Sequence, residues 1–457
     1  MLLQSPRIQT RLAQRLSGRL SEGIEGEVTI GRVQILPFRT LIIRDLVLTD
    51  DNPLSTAFFE PRDTVARIGI ATVSFSLKGL TSRKPLVLKK VAVRDGLFNM
   101  VLEEHHKSNL KRIFHQGDPH PMEDKGEVLL IRQIDARNVH FRYSSALGKK
   151  KPKGYPGINW ADIDLMADVR AHDLHVANAQ IQGIADEIRV REKSGYGFSD
   201  THGRTVVSNG KVEVYDFELN DSGSHISIPS FVMDFENIRS FEHFAEDVTL
   251  TTRIKDSRLD GRTLTGFTGR TMPRLSVDIP NARFHGTLND FELATLQFRE
   301  QDGLSGTLSA SVRDILHPAE SQIDASLSAF SFTTAALGGL LDVFAPGKGK
   351  AVSRYAPGER FVLDGKLSGP ARDLTLTCGL AASSGSVSLS MKARDLLNDG
   401  LPSRLKGSVL VNDLDVGSIL GTSLIRECSL RTQHSHPIIF HRSNLSAPFK
   451  VSFSPRC

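Results

Sequence analysis

Val73-Ser74-Phe75-Ser76-Leu77 alternates apolar and polar residues without a break, and Val387-Ser388-Leu389-Ser390-Met391 repeats the pattern near the other end of the chain. A side-chain period of two gives a strand one apolar and one polar face. Val73, Phe75 and Leu77 are therefore expected to line an apolar surface, with Ser74 and Ser76 facing water. Val139-His140-Phe141-Arg142-Tyr143, Leu275-Ser276-Val277-Asp278-Ile279 and Leu374-Thr375-Leu376 follow the same rule. Leu86-Val87-Leu88 and Val91-Ala92-Val93 read as two strands if the intervening lysines mark a turn. Turn signals at Asp95-Gly96, Asn209-Gly210, Asp260-Gly261, Asp302-Gly303 and Asp364-Gly365 divide the runs. The helices that would separate the strands of a parallel sheet are missing from the pattern. The fold class is all-β and antiparallel-like.

The opening residues follow another period. Ile8, Leu12, Leu16 and Leu20 recur at every fourth position, and Arg7, Arg11, Arg15 and Arg19 run beside them. At about 100° per residue this is an amphipathic helix with an apolar and a cationic stripe. Ser5 fits its N-cap and Pro6 its first position. Such a helix suits a membrane surface, or packs on the protein's own core. Met1-Leu2-Leu3-Gln4 is too short for a signal peptide or for the roughly 20 apolar residues of a transmembrane helix. The two leucines read as the tail of a membrane segment, so the reading frame is expected to extend upstream. Val28, Ile30, Val33 and Ile35, then Leu41, Ile43, Leu46 and Leu48, begin the strand-like region on either side of Pro37.

Only three later segments read as helical: Ser108-Asn109-Leu110-Lys111-Arg112-Ile113-Phe114, residues 241–248 and residues 333–344. Ala345-Pro346-Gly347-Lys348-Gly349-Lys350 reads as an exposed loop and Lys149-Lys150-Lys151-Pro152-Lys153-Gly154 as a solvated hairpin tip.

The 457 residues carry a formal charge of +5, with the basic residues not gathered among aromatics, so nucleic acid is not an expected partner. Cys378, Cys428 and Cys457 are too few and too widely spaced for a disulfide framework or zinc site. His105, His106, His115, Asp118 and His120 share a polar stretch without metal-ligand spacing. His172 and His175, three apart in a strand, are expected on opposite faces. No Gly-x-Ser-x-Gly elbow occurs, and Gly347-Lys348-Gly349-Lys350 lacks the rest of a phosphate loop. The chain reads as a non-enzyme without cofactor, catalytic or metal residues.

Each strand has an apolar face that too few helices exist to cover. The sheet must cover itself, by closing, stacking or curling. A long curled sheet forming an elongated apolar groove fits the irregular turn spacing; about 25 strands at roughly 4.8 Å would span roughly 120 Å. The alternative is an array of closed β-sandwich domains with filled cores.

Several stretches, in their order along the chain, resemble the AsmA-like superfamily, in particular its TamB-type translocation and assembly members. They are Ser5-Pro6-Arg7-Ile8-Gln9 with Val28-Thr29-Ile30-Gly31-Arg32-Val33; Leu41-Ile42-Ile43-Arg44-Asp45-Leu46-Val47-Leu48-Thr49-Asp50, echoed over residues 68–102; Ser108-Asn109-Leu110; and Arg191-Glu192-Lys193-Ser194-Gly195-Tyr196-Gly197-Phe198, followed by residues 210–219 and Ser224-His225-Ile226. The resemblance implies an inner-membrane anchor and a β-groove body in the periplasm. It also implies membrane phospholipid as cargo, an outer-membrane β-barrel of the Omp85 type as partner, and a role in outer-membrane biogenesis. On this plan residues 1–26 are the membrane-surface helix, 27–430 the β-groove, and 431–457 an atypical tail of out-of-frame or truncated character. Against that plan the anchor is expected to be absent or reduced to Leu2-Leu3, and the barrel-docking region is expected to be missing. A structural or adhesive sandwich array remains the alternative function.

Overall fold

The alternating stretches form strands throughout the computed structural model. It describes residues 25–36, 40–51, 63–75, 86–102, 108–113, 127–146, 151–152, 154–177, 180–241, 243–272, 275–300, 303–344, 347, 349–356, 358–394, 403–415, 427–433 and 438–440, with Gln14, Ser17, Gly18 and Ser21. The first elements are β1 (Gly26–Leu36), β2 (Thr40–Asp50), β3 (Thr64–Phe75), β4 (Leu86–Leu102), α1 (Asn109–Ile113) and β5 (Glu127–Ser145). Then come β6 (Asp162–Ala177), β7 (Gln180–Glu192), β8 (Gly197–Ser208), β9 (Lys211–Asp221) and β10 (His225–Asp234). After a 3-10 turn (Ile238–Phe241) follow α2 (Phe244–Asp247), β11 (Thr249–Asp260), α3 (Gly261–Thr268), β12 (Ser276–Gly286), β13 (Phe291–Glu300), β14 (Ser305–Arg313) and β15 (Gln322–Thr333). The last are α4 (Thr334–Phe344), α5 (Gly349–Val352), β16 (Arg360–Pro370), β17 (Asp373–Ala382), β18 (Gly385–Arg394), β19 (Ser403–Asp415), β20 (Glu427–Gln433) and β21 (Ile438–Phe440). The fold is all-β with few short helices. It divides into two compact units: residues 1–227 with 260–272, and residues 228–259 with 273–457.

In the first unit each strand from β1 to β9 pairs with the next. All these pairs are antiparallel except β4–β5, which is parallel, so the sheet is mixed rather than purely antiparallel. Residues 103–126 give the long connection that a parallel pair needs. Lys89 and Lys90 do not turn the chain, and β4 runs through them as one strand. Its register against β5 places Leu88 opposite Ile131 and Val91 opposite Ile134.

The apolar positions change phase once in the middle of each of β1–β5. Val28 and Ile30 give way to Val33 and Ile35, Leu41 and Ile43 to Leu46 and Leu48, and Ala66 and Ile68 to Ala71 and Val73. Val91 and Val93 give way to Gly96 and Phe98, and Ile134 and Ala136 to Val139 and Phe141. Between the phases stand Gly31-Arg32, Arg44-Asp45, Gly69-Ile70, Arg94-Asp95 and Arg137-Asn138. Asp45, Asp95 and Asn138 have φ of 53°, 55° and 53°, a left-handed conformation that Asp and Asn tolerate better than most residues. The kink leaves two consecutive side chains on the polar face and returns the following apolar residue to its own side. Register aligns the kinks into one seam. A Cβ on Gly31 would lie 3.0 Å from Asp45 Cβ, and one on Gly69 would lie 3.2 Å from Asp95 Cβ, so glycine alternates with aspartate across it. Asn138 closes the row, donating its side-chain amide to Asp95 Oδ1 and its backbone N–H to Asp168 Oδ1 at 2.8 Å. Asp95-Gly96 is thus a seam inside β4, not the turn its composition predicts.

The Asp260-Gly261 pair opens a helix instead of a hairpin, because aspartate serves both turns and N-caps. Asp260 Oδ1 accepts from Arg262 N–H at 2.8 Å, and Gly269 ends α3 at φ 66°. Phe267 of α3 stacks on Trp160, and Thr263 Oγ1 donates to Asp221 Oδ2 at 2.5 Å. Burial next to the Asp221 charge pushes the Tyr196 hydroxyl far above its ordinary pKa, and that hydroxyl donates to Asp221 Oδ2 at 3.2 Å. These contacts fasten α3 to the β9 end and fix Tyr196 in its neutral form.

In the second unit β12 to β19 pair antiparallel in sequence order, and β20 and β21 both pair with β19. Asp364-Gly365 lies inside β16; Asp364 Oδ1 accepts the N–H of Ala329, a kinked residue of β15 at φ 50°. The expected helix over 333–344 is α4, which packs on Phe332 and Phe361 with Leu304, Ala336 and Ala356. The loop expected over 345–350 includes the start of α5, whose Gly349 is buried and donates its N–H to Asp342 Oδ1 at 2.7 Å. Helices α1 and α2 fall within the other two segments that read as helical.

Candidate functional site

Cross-strand register turns the alternating residues into continuous apolar rows. In the first unit one row runs Val33, Ile43, Ala71, Val93, Ala136, Val169, Ile188 over β1–β7. A parallel row runs Ile35, Leu41, Val73, Val91, Ile134, Ala171, Ala185. In the second unit Ala282, Leu296, Leu308, Leu327, Gly365, Cys378, Leu389 and Val409 align over β12–β19. Beside them stand Phe284, Leu293, Ala310, Ala325, Leu367, Leu376, Met391 and Gly407.

These rows are not a filled core. Apart from Val33, Ala71 and Ala282, every member is only half-buried. Fully buried side chains gather mainly at the margins, where short helices cover the sheet. Val28, Leu48, Val65 and Ala66 cluster with Ile113 of α1, and the second cluster lies under α4. Two sheets packed face to face would bury the rows themselves.

A trough of about 660 Å³ crosses β15–β19 and takes three consecutive residues from each strand. The middle ones are Leu327, Gly365, Cys378, Leu389 and Val409, and most flanking ones carry hydroxyls or charge, among them Ser326, Asp364, Lys366 and Ser390. Burial raises the pKa of the Cys378 thiol and keeps it protonated at neutral pH. In the first unit a smaller pocket of about 180 Å³ is lined by Arg137, Arg170 and Arg189 with Asp168 and Glu187. Glu187 pairs with both Arg170 and Arg189, the latter at 3.0 Å.

Of the residues the sequence singled out, Val73 and Phe75 lie half-buried in β3, opposite Val91 and Leu88. Ser74 is on the other face, with its hydroxyl 3.3 Å from that of Thr40. Leu77 and the helix residues Arg7, Ile8, Arg11, Leu12, Arg15, Leu16, Arg19 and Leu20 lie outside the described residues, as do His105, His106, His115 and His120. His172 and His175 do not keep simple alternation, because Asp173 between them is kinked at φ 49° and shifts the register. His172 Nδ1 lies 2.8 Å from Asp186 Oδ1. Among the described residues no group of His, Cys, Asp or Glu is arranged to hold a metal ion, and no helix is long and apolar enough to cross a membrane.

Sequence reasoning missed the seam. Its signal was the doubled polar step inside each alternation, three times as Arg followed by Asp or Asn, at residues 44–45, 94–95 and 137–138. Comparison with known proteins finds no matching family model, no matching curated protein and no matching solved structure.

Proposed function

We propose that this chain is a non-enzymatic scaffold of the Gram-negative envelope whose open apolar face conducts phospholipid acyl chains between the inner and outer membranes and assists outer-membrane protein assembly. The observation that carries the reading is the half-burial of apolar rows seven or eight strands wide, aligned by register. A face of that chemistry in water needs an apolar occupant, and acyl chains match a continuous surface of Val, Ile, Leu and Phe. The envelope setting, the inner-membrane anchor and the barrel partner follow from the likeness to TamB-type proteins. A sandwich array would bury these rows and leave no path for lipid.

The test uses Leu389, which sits between Cys378 and Val409 in its row. In a filled core Leu389→Asp buries an unpaired carboxylate and costs several kcal/mol, about enough to unfold a marginal domain. On an open face the carboxylate reaches water, so the fold survives while lipid meets a charge. Thermal unfolding and crosslinking of a photoreactive phospholipid are measured together, with native mass spectrometry for co-purified phospholipid. The expected result is retained folding with reduced crosslinking. An unfolded variant, together with a parent that neither crosslinks nor co-purifies lipid, sinks the proposal.

A further inference from the structure

On the polar face of the first unit one register row reads Arg32, Arg44, Ile70, Arg94, Arg137 across β1–β5. Ile70 divides it into two pairs of directly opposed arginines. Like charges in that position repel. At Arg94 and Arg137 the chain supplies the compensating anion: Asp135 Oδ2 accepts from Arg94 Nη2 at 2.8 Å and Asp135 Oδ1 from Arg137 Nε at 3.1 Å.

At Arg32 and Arg44 no described residue does. The row beside the arginines reads Gln34, Ile42, Thr72, Ala92, Asp135, so the position next to Arg32 that matches Asp135 holds a neutral amide. No carboxylate among the described residues lies within ion-pair distance of either arginine. Asp45 follows Arg44 in sequence, but its kink places its carboxylate over Gly31: a Cβ on Gly31 would lie 3.2 Å from Asp45 Oδ2.

We propose that Arg32 and Arg44 form an oxyanion site for a phosphate group, with Gln34 as a third donor. A tetrahedral phosphate has oxygens for both guanidinium forks and for the Gln34 amide, and supplies the anion that Asp135 supplies at the other pair. The site lies on the polar face and does not depend on the apolar one. A free phosphate and a phospholipid headgroup share this chemistry.

The experiment compares the full chain with Arg32→Gln/Arg44→Gln and with Gln34→Asp, which places a carboxylate where Asp135 stands in the second pair. Inorganic phosphate is titrated calorimetrically. Vesicles of phosphatidylglycerol mixed into phosphatidylcholine, and of phosphatidylcholine alone, are tested by flotation. Circular dichroism confirms that each variant is folded, which both are expected to be, since each relieves repulsion. The parent is expected to bind phosphate saturably, and each variant about tenfold or more weakly, as loss of charge-assisted hydrogen bonds implies. Phosphatidylglycerol binding that inorganic phosphate competes away, and that both variants lose, assigns the site to a headgroup. Phosphate binding without that vesicle dependence assigns it to a free phosphate. A parent that shows no saturable phosphate binding, or a folded Gln34→Asp variant that binds as tightly as the parent, overturns the proposal.

Discussion

Strands β1–β5 and strands β16–β18 carry the same alternation and handle it differently. Across β16–β17 and β17–β18 the register runs without a shift, so Leu363, Gly365 and Leu367 keep one phase opposite Leu380, Cys378 and Leu376. In β1–β5 every strand slips phase once, at Gly31, Asp45, Gly69, Asp95 or Asn138. Both solutions keep the apolar residues on one side. The slipped one doubles the polar row at the seam, and there the two arginine pairs stand. Left-handed residues in β2, β4 and β5, met by glycine in β1 and β3, therefore change the surface chemistry of one face while leaving the other continuous.

The sharpest way to break this contrast is to forbid the left-handed residue. Asp95→Val puts a β-branched side chain at φ 55° and removes the acceptor of the Asn138 amide. Together these should cost about 2–3 kcal/mol. Ser390→Val, on the exposed face of β18, should stay within about 0.5 kcal/mol. Denaturant unfolding of the first unit can be followed by the fluorescence of Trp160, the single tryptophan, and of the second by circular dichroism. Equal losses at the two positions would mean that the seam is not under conformational constraint.

A smaller effect separates two glycines. A Cβ on Gly31 would lie 3.0 Å from Asp45 Cβ, whereas a Cβ on Gly379 of β17 would meet nothing within 4 Å. Gly31→Ala should destabilise by about 1 kcal/mol, and Gly379→Ala should stabilise by about 0.5 kcal/mol through loss of unfolded-state freedom. The two changes should shift the unfolding midpoint in opposite directions.

Strand identity and the apolar face were legible because they depend only on a period of two, which Val73, Phe75, Leu389 and Met391 state outright. Punctuation was less legible. Asp-Gly is a turn signal at the level of the dipeptide, and at 95–96 and 364–365 the sheet overrides it, since pairing with strands on both sides carries the chain onward and leaves Asp95 only a local left-handed kink. Helix α3 escaped notice because Gly261-Arg262-Thr263-Leu264-Thr265-Gly266-Phe267-Thr268 has two glycines and weak helix propensity. Its Asp260 cap and its contacts with Trp160, Tyr196 and Asp221 supply what propensity does not. The parallel β4–β5 pair depends on a long connection, and connection length does not by itself fix direction. The Arg32–Arg44 pair was invisible, because register alone brings those residues together.

The second arginine pair can be sharpened by acid. The Arg94 hydrogen bond holds the Asp135 carboxyl below its ordinary pKa, and Arg137 adds to the effect. With a depressed folded value, the stabilisation is complete above about pH 4, the ordinary carboxylate range, and is lost as pH falls through the folded value. Asp135→Asn should therefore cost about 0.5–1 kcal/mol at pH 7, a partly exposed ion pair being worth no more. The difference from the parent should shrink as pH falls below 4. A difference that persists unchanged at low pH would assign Asp135 a packing role in place of its charge.

The smallest effect tests the seam most directly. Asp45 is exposed, with φ 53°, and no hydrogen bond within the described residues holds its side chain. If the seam needs only a backbone that accepts the left-handed region, Asp45→Gly should be close to neutral, within about 0.5 kcal/mol. Glycine relieves the strain of roughly 1 kcal/mol that a left-handed residue carries and adds a similar entropic cost of its own. The same change at Lys392, exposed on the unkinked β18, has no strain to relieve and should cost about 1 kcal/mol. Unfolding midpoints for Asp45→Gly and Lys392→Gly should therefore part, with the seam variant near the parent and the β18 variant below it. If Asp45→Gly falls as far as Lys392→Gly, the aspartate side chain stabilises the seam by more than its tolerance of positive φ. The repeated Asp across β2 and β4 would then be selected for the contact it makes over Gly31 and Gly69 and not for its backbone.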